Sequence, residues 1–173
     1  MSISTTIKSI QDIMRKDVGV DGDAQRIGQL VWMLFLKIFD DREQEWELIY
    51  DDYKSPIPEN LRWRNWAADP EGMTGDELKD FIDNTLFPGL QNLEPAGDDY
   101  RGVVIRNVFE DAYNYMKSGH LMRGENAGSQ FVTFFRCPIL DPLRRQVSQF
   151  DTTIFERVRS NGLTRRFQEV GKV

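Results

Sequence analysis

The stretch from residue 30 to residue 39, LVWMLFLKIF, decides the fold of this 173-residue chain. In and around this stretch, apolar residues recur at the spacing of one helix face, at positions 27, 30, 31, 34, 35, 38 and 39. The remaining faces are also apolar, because they carry Trp32, Met33 and Leu36. The pattern continues among acidic residues to Tyr53, so we predict one long central helix over about 23–53, buried within a bundle.

This apolar run is only about half of the roughly 20 residues that a membrane-spanning helix needs. The acidic segment 40–43 follows it at once, so we predict no membrane span. The composition, 40% hydrophobic and 29% charged, is typical of a globular protein. No export signal is visible and Cys137 is the single cysteine, which together favour the cytoplasm.

Helical spacing also appears on both sides of the central helix. It predicts helices over about 3–14, 74–93 and 98–118, and hence an all-α helical bundle. We assign residues 1–123 to this bundle and expect 124–173 to be a helical extension of the same domain. The short apolar run at 131–135 fits either an irregular buried segment or a β-like one.

Two tryptophans alternate with two arginines just after a proline-rich loop, as Arg62, Trp63, Arg64 and Trp66. Such residues could stack on bases and hold phosphates. They could equally pack a loop onto the bundle, with the guanidinium groups over the rings. Both interpretations stay open, and these four residues are candidate DNA or partner contacts.

The charge is distributed unevenly along the chain. Residues 1–100 carry 10 Lys and Arg against 21 Asp and Glu, whereas residues 101–173 carry 12 against 7. An acidic first part argues against wrapping nucleic acid unaided, because phosphate binding needs concentrated positive charge. The basic last part adds four candidate DNA or partner contacts: Arg144, Arg145, Arg165 and Arg166.

The sequence lacks the usual signatures of catalysis. It contains no G-x-S-x-G, no phosphate-binding G-x-x-x-x-G-K-[ST] loop and no G-x-G. With one histidine, His120, and one cysteine, it also lacks the residues for common zinc sites. We therefore predict no catalytic, cofactor-binding or metal-binding residue.

Two segments together resemble one protein family. The segment 29–41, QLVWMLFLKIFDD, and the segment 108–119, VFEDAYNYMKSG, are similar to the N-terminal helical domain of HsdM, the modification subunit of type I restriction–modification systems. The resemblance covers about residues 1–123. It implies a domain that precedes an S-adenosylmethionine-dependent DNA adenine-N6 methyltransferase domain and works with a specificity subunit, a restriction subunit and DNA.

The resemblance does not extend to the catalytic motifs of that family. The Asn or Asp followed by Pro-Pro-Tyr or Pro-Pro-Phe is absent, since no two prolines are adjacent, and so is the glycine-rich cofactor turn. We expect no methyltransferase domain, bound cofactor or activity in these residues. The predicted function is a non-catalytic domain that assembles the enzyme and closes it around DNA; the alternative is a stand-alone nucleic-acid-binding helical module.

Overall fold

The computed structural model describes residues 3–67, 72–94 and 100–123, and the regular elements within these ranges are all helices. The predicted all-α fold is confirmed for this part of the chain. All described residues belong to the first of the two units into which the chain divides, Met1–Cys137. The helices are α1 (Ile3–Met14), α2 (Asp23–Ile49), α3 (Trp63–Trp66), α4 (Gly75–Phe81), α5 (Phe87–Gln91), α6 (Tyr100–Glu110) and α7 (Gly119–Arg123).

The predictions for the last part of the chain lie outside the described residues. They concern the helical extension over 124–173, the β-like segment at 131–135, and the candidate contacts Arg144, Arg145, Arg165 and Arg166. All of them stay predictions.

The central helix exists as predicted, but it is buried on one side only. Trp32, Met33 and Leu36 are each 1% exposed, whereas Ile27 and Val31 are 57% and 53% exposed. The prediction of a helix buried all round is therefore wrong, because the neighbouring elements cover only one face of α2. The buried face also holds polar residues: Arg26, Gln29, Asp40, Asp41 and Glu43.

The central helix also ends earlier than predicted, at Ile49 rather than near Tyr53. Tyr50 adopts an extended conformation, and the chain turns back so that the Tyr53 hydroxyl donates to Glu43 Oε1 at 2.9 Å. Ten residues of continuous helix would separate these two residues by about 15 Å along the axis. The hydrogen bond from Tyr53 therefore requires the helix to stop.

The core is aromatic and lies against the buried face of α2. The Phe87 ring packs edge-on against Trp32 at 5.2 Å and against Phe109 at 5.4 Å between centroids. Aromatic pairs in this arrangement stabilise a fold beyond the burial of their area. These contacts fix α5 and α6 against the middle of α2.

A π-helical turn, Ile82–Leu86, joins α4 to α5 and lets a proline enter a continuous helix. Pro88 has no N–H, and in a regular helix its ring would collide with the carbonyl group four residues earlier. The Phe87 N–H instead donates to the Ile82 carbonyl five residues back, which widens the helix just before Pro88. The chain is thus helical through Pro88, where the apolar stripe of the predicted helix over 74–93 is interrupted.

After α6 the chain runs without regular structure from residue 111 to residue 118, a segment that we call the strap. The predicted helix over 98–118 is therefore wrong in its second half. Within the described ranges, no helix combines the length and apolar character needed to cross a membrane.

Candidate partner-binding surface

Both tryptophans of α3 lie inside the domain. Trp63 and Trp66 are each 2% exposed, and their rings pack edge-on at 5.0 Å between centroids. Trp66 Nε1 donates to the Leu61 carbonyl at 3.2 Å. The structure thus shows these rings packed in the core, where a base has no access to them.

Arg62, just before α3, and Arg64, within it, contact carboxylates of α2. Arg64 Nε lies 2.7 Å from Asp40 Oδ1, and Arg64 Nη1 lies 2.6 Å from Glu47 Oε2. Arg62 Nη1 lies 3.4 Å from Glu47 Oε1. Burial alone would lower the pKa of Arg64, but its hydrogen bonds to Asp40 and Glu47 raise it. These contacts pair both cations within the domain, and their contact with DNA or a partner stays a prediction.

Glu43 lies fully buried on the same side of α2. Its Oε1 accepts from Tyr53, and its Oε2 lies 4.0 Å from Arg64 Nη2. Burial raises the pKa of Glu43, because a charged carboxylate loses its water there, while Tyr53 acts in the opposite direction. Among the described residues, no group of three or more His, Cys, Asp or Glu could hold a metal ion.

The strap is held by two buried side chains from the first part of the chain. The first is Asp17, which is 3% exposed. Its Oδ1 accepts from the backbone N–H groups of Gly19 and Lys117, each at 2.9 Å, and its Oδ2 accepts from Ser118 at 2.9 Å. Asp17 therefore ties the end of the strap to the loop between α1 and α2.

The second is Gln29 of α2, which is 0% exposed. Its Oε1 accepts from the Tyr115 N–H at 2.9 Å, and its Nε2 donates to Asn114 Oδ1 at 3.0 Å. Asn114 Nδ2 in turn donates to Asp83 Oδ1 at 2.7 Å. Asp17 and Gln29 thus accept the N–H groups of Tyr115, Lys117 and Ser118, which a helix would use internally, so these three groups are satisfied without helical structure.

Two glycines let the strap lie close to the first part of the chain. A Cβ atom on Gly19 would lie 2.1 Å from the Tyr115 carbonyl oxygen, and one on Gly28 would lie 3.1 Å from Tyr115 Cε2. The Tyr115 ring therefore rests on α2 at Gly28, beside the exposed residues Ile27 and Val31.

An exposed surface of apolar and tyrosine residues results, with the charged Lys117 beside Tyr113, and we call it the strap surface: Val18, Ile27, Val31, Tyr113 and Tyr115. Val18 is 86% exposed and Tyr113 is 55% exposed, and the two tyrosine rings lie 5.1 Å apart. Lys117 Nζ lies 5.1 Å from the Tyr113 ring centroid. Exposed apolar and tyrosine side chains in one patch are typical of protein interfaces.

Sequence reasoning missed this surface, although one signal for it was present. Positions 27, 31, 34 and 38 follow a 4-3-4 spacing, which is that of a second helix-packing stripe on α2. A helix with two apolar stripes needs neighbours on two sides. Leu34 and Ile38 are half-buried, whereas Ile27 and Val31 remain open.

The comparisons with known proteins all find relatives among type I modification subunits. The profile of the family described as HsdM N-terminal domain matches residues 3–125. Over 124 residues the chain is 61% identical to the type I restriction enzyme EcoEI methylase subunit of Escherichia coli, covering 71% of this chain and 25% of that protein.

Two solved structures have similar folds. One is a modification subunit from Vibrio vulnificus YJ016 assigned to a type I restriction enzyme, with a TM-score of 0.65 and 33% identity, covering 83% of this chain and 34% of that one. The other comes from work on complex assembly and conformational transition of the type I R-M system, with a TM-score of 0.59 and 28% identity, covering 84% of this chain and 30% of that one. The chain thus spans about a quarter to a third of these relatives' length.

Proposed function

The chain belongs to the family of HsdM N-terminal domains of type I modification subunits, and we propose that it is a non-catalytic assembly domain that docks through its strap surface. Its docking partner is the rest of the modification subunit, including the methyltransferase domain. The specificity and restriction subunits, and DNA, are partners of the complete assembly. S-adenosylmethionine binds to the methyltransferase domain, and the assembly works in the cytoplasm.

The observation that carries this proposal is the strap surface itself. Ile27, Val31 and Tyr113 are each more than half exposed, and their neighbour Tyr115 is fixed in place by Gln29 and Gly28. Burying such side chains contributes about 25 cal/mol per Å² of apolar area. A patch of this kind, in a domain whose relatives are three to four times longer, supports a lasting contact with another part of the subunit.

The charges of the domain do not favour the alternative, a stand-alone nucleic-acid-binding module. Residues 1–100 hold 21 acidic against 10 basic residues. Arg62 and Arg64 contact acids of α2, and Trp63 and Trp66 are buried. A DNA interface at residues 62–66 would need arginines that are not paired with acids and aromatic rings that are exposed to solvent.

The test is a binding measurement between the purified chain and the separately expressed remainder of its modification subunit. The double variant Ile27→Gln/Val31→Gln and the single variant Tyr113→Ala should each weaken binding about tenfold or more, because such anchors contribute at least about 1–2 kcal/mol. Tyr100→Ala is the matched control for Tyr113→Ala, since Tyr100 is a tyrosine with a similar exposed fraction, 50% against 55%.

Three results would contradict the proposal. The first is the absence of binding by the unaltered chain, and the second is an equal loss of binding in the Tyr100 control. The third is a heat signal on titrating S-adenosylmethionine into this chain, because that would place cofactor binding in the domain itself.

A further inference from the structure

An apolar stripe runs along the side of α2 that the domain leaves open. It consists of Ile27, Val31, Leu34 and Ile38, and we call it the second stripe. Ile27 and Val31 are 57% and 53% exposed, and Leu34 and Ile38 are half-buried. The 4-3-4 spacing keeps these side chains in one line along the helix axis, which is the arrangement that a partner helix covers in a coiled coil.

Charged residues lie at both ends of the second stripe and limit its length. Asp23 lies one helical turn before Ile27. Asp41 and Arg42 lie one turn after Ile38. Between Ile27 and Ile38 the helix rises about 16 Å, which is about three turns. The second stripe therefore has the length of a short helix.

The charges around the second stripe balance within the domain. Three ion pairs on α2 flank it: Asp23–Arg26, Lys37–Asp41 and Arg42–Glu45. In the neighbouring segments 16–21 and 111–118, the exposed charged residues are two lysines and two aspartates: Lys16, Lys117, Asp21 and Asp111. A face with balanced charge attracts neither DNA phosphates nor an anionic bilayer. A contact here should be apolar and should depend little on salt.

The backbone of α2 favours a helical partner over an extended one. Its N–H and carbonyl groups are bonded within the helix, so they offer nothing to an incoming strand. An extended segment laid on the second stripe would bury its own polar backbone groups against apolar side chains, at a cost for each unpaired group. A helix bonds these groups internally and presents only its side chains.

The strap lies along one side of the second stripe and is ordered before a partner binds. The Tyr115 N–H donates to Gln29 Oε1 at 2.9 Å, and the Tyr115 ring rests on α2 at Gly28. The Tyr113 ring lies 5.1 Å from that of Tyr115. Aromatic side chains that are fixed in advance lose little conformational freedom on binding.

From these observations we infer that one amphipathic helix of the remainder of the modification subunit packs lengthwise on the second stripe, with about three turns in contact and the strap tyrosines along its side. The inference rests on the proposed function and identifies the element that docks. In the 61% identical relative, the matched residues make up 25% of the protein, so most of that subunit lies outside this domain. A segment joined to the domain acts at an effective concentration on the order of millimolar, which favours it over a second copy of this chain.

The experiment measures how far apart the contacts lie on the partner. The photo-reactive amino acid p-benzoylphenylalanine replaces Ile27 or Ile38 in the full chain, which is mixed with the purified remainder of the modification subunit, irradiated and mapped by mass spectrometry. A partner helix should be captured at two residues about eleven apart in one segment, since both helices rise about 1.5 Å per residue. An extended partner, at about 3.3 Å per residue, would give about five. Tyr100, which is 50% exposed and lies outside the stripe, is the control position and should capture neither residue.

Two matched variants test the affinity. Leu34→Ala/Ile38→Ala should weaken binding at least about tenfold, because it shortens the apolar contact and leaves the strap surface unchanged. Leu48→Ala/Ile49→Ala removes the same two side-chain types from exposed positions at the end of α2, and it should bind as the unaltered chain does. The unaltered chain should lose less than about threefold in affinity between about 50 mM and 300 mM salt. Urea unfolding checks that both variants are folded, and the crosslinking tests the inference independently of their stability.

The outcomes separate this inference from the proposed function. Captured residues about five apart, captures spread over several segments, or capture of a second copy of this chain would each overturn the inference. Normal binding by the Leu34/Ile38 variant, an equal loss in its control, or a tenfold loss at the higher salt would also overturn it. In these cases the proposed function still stands if the strap-surface variants lose the remainder of the modification subunit. Failure of the unaltered chain to bind that remainder would overturn both proposals.

Discussion

Replacing Asp17 by alanine should destabilise the domain by roughly 5–9 kcal/mol. The carboxylate accepts hydrogen bonds from three backbone N–H groups, those of Gly19, Lys117 and Ser118. Each bond to a charged group contributes about 1.5–3 kcal/mol, and an N–H group left without a partner adds its own desolvation cost. Because a domain is stable by only about 5–15 kcal/mol, Asp17→Ala should lower the urea midpoint sharply. Asp17→Asn keeps one acceptor oxygen and should cost about 1–3 kcal/mol.

The assay is urea unfolding followed by tryptophan fluorescence, since Trp32, Trp63 and Trp66 are buried and will report the transition. Asp21→Asn is the control, because Asp21 is exposed and, among the described residues, only its backbone N–H makes a hydrogen bond, with Gln25 Oε1. Hydrogen exchange at the strap amides would show whether the loss is local. If Asp17→Ala unfolds within about 0.5 kcal/mol of the Asp21 control, Asp17 does not hold the strap.

Three further substitutions test other features of the domain. Gly19→Ala should cost about 1–3 kcal/mol in urea unfolding, because its Cβ would lie 2.1 Å from the Tyr115 carbonyl oxygen. Gly22→Ala, where the nearest atom would lie 4.0 Å away, should cost less, about 0.5–1 kcal/mol, because Gly22 is the N-cap of α2 and alanine is disfavoured there. Trp63→Ala should cost about 3–5 kcal/mol in the same assay, since the ring is 2% exposed. Because the pKa of Glu43 is raised in the folded state, its contribution to stability is fully present at low pH and declines as pH rises through that pKa. Glu43→Gln, which stays neutral and can still accept from a tyrosine hydroxyl, should remove this decline when unfolding is measured from pH 4 to pH 8.

Each of these expectations can fail separately. Equal midpoints for the two glycine variants would mean that the chain shifts without cost around residue 19. A stable Trp63→Ala variant would mean that its ring is not part of the core. An unchanged pH dependence in Glu43→Gln would assign the effect to other carboxylates.

Local pattern in the sequence was enough to place α1, the long helix α2, the helical region of α4 and α5, and the first half of the predicted helix over 98–118. It did not place the short helices α3 and α7. It could not decide which of two apolar stripes on α2 would be covered, because that depends on where α5, α6 and the strap lie. It also misplaced the end of α2, since the hydrogen bond from Tyr53 to Glu43 is a contact outside the helical repeat. The helical spacing of residues 98–118 did not predict where α6 ends. The buried acceptors Asp17 and Gln29 bind backbone N–H groups of the strap, and the helix ends before them.

For the candidate surfaces, the residue types could be read from the sequence, but the solvent exposure of their side chains could not. Arginines and tryptophans in alternation suggested a contact with DNA as readily as packing, and the structure distinguishes the two by the burial of both tryptophans and by the carboxylates of α2 that hold the arginines. Tyr113 and Tyr115 belong to the segment 108–119 that resembles the family, yet nothing local shows that the Tyr115 ring lies against Gly28 of α2. Contacts between residues 85 to 101 positions apart, such as those of Gln29 and Asp17 with the strap, are invisible to short-range pattern.

The anchoring of the strap by Asp17 has a consequence for synthesis on the ribosome. The N–H groups that this carboxylate binds belong to residues 100 and 101 positions later in the chain. At about 5–20 residues per second, they emerge roughly 5–20 s after Asp17 does. During that interval α1 and α2 have been synthesised but the strap has not. The apolar faces of α2 are therefore accessible to chaperones or to neighbouring nascent chains. The domain therefore folds as a unit only after residue 118 has left the exit tunnel.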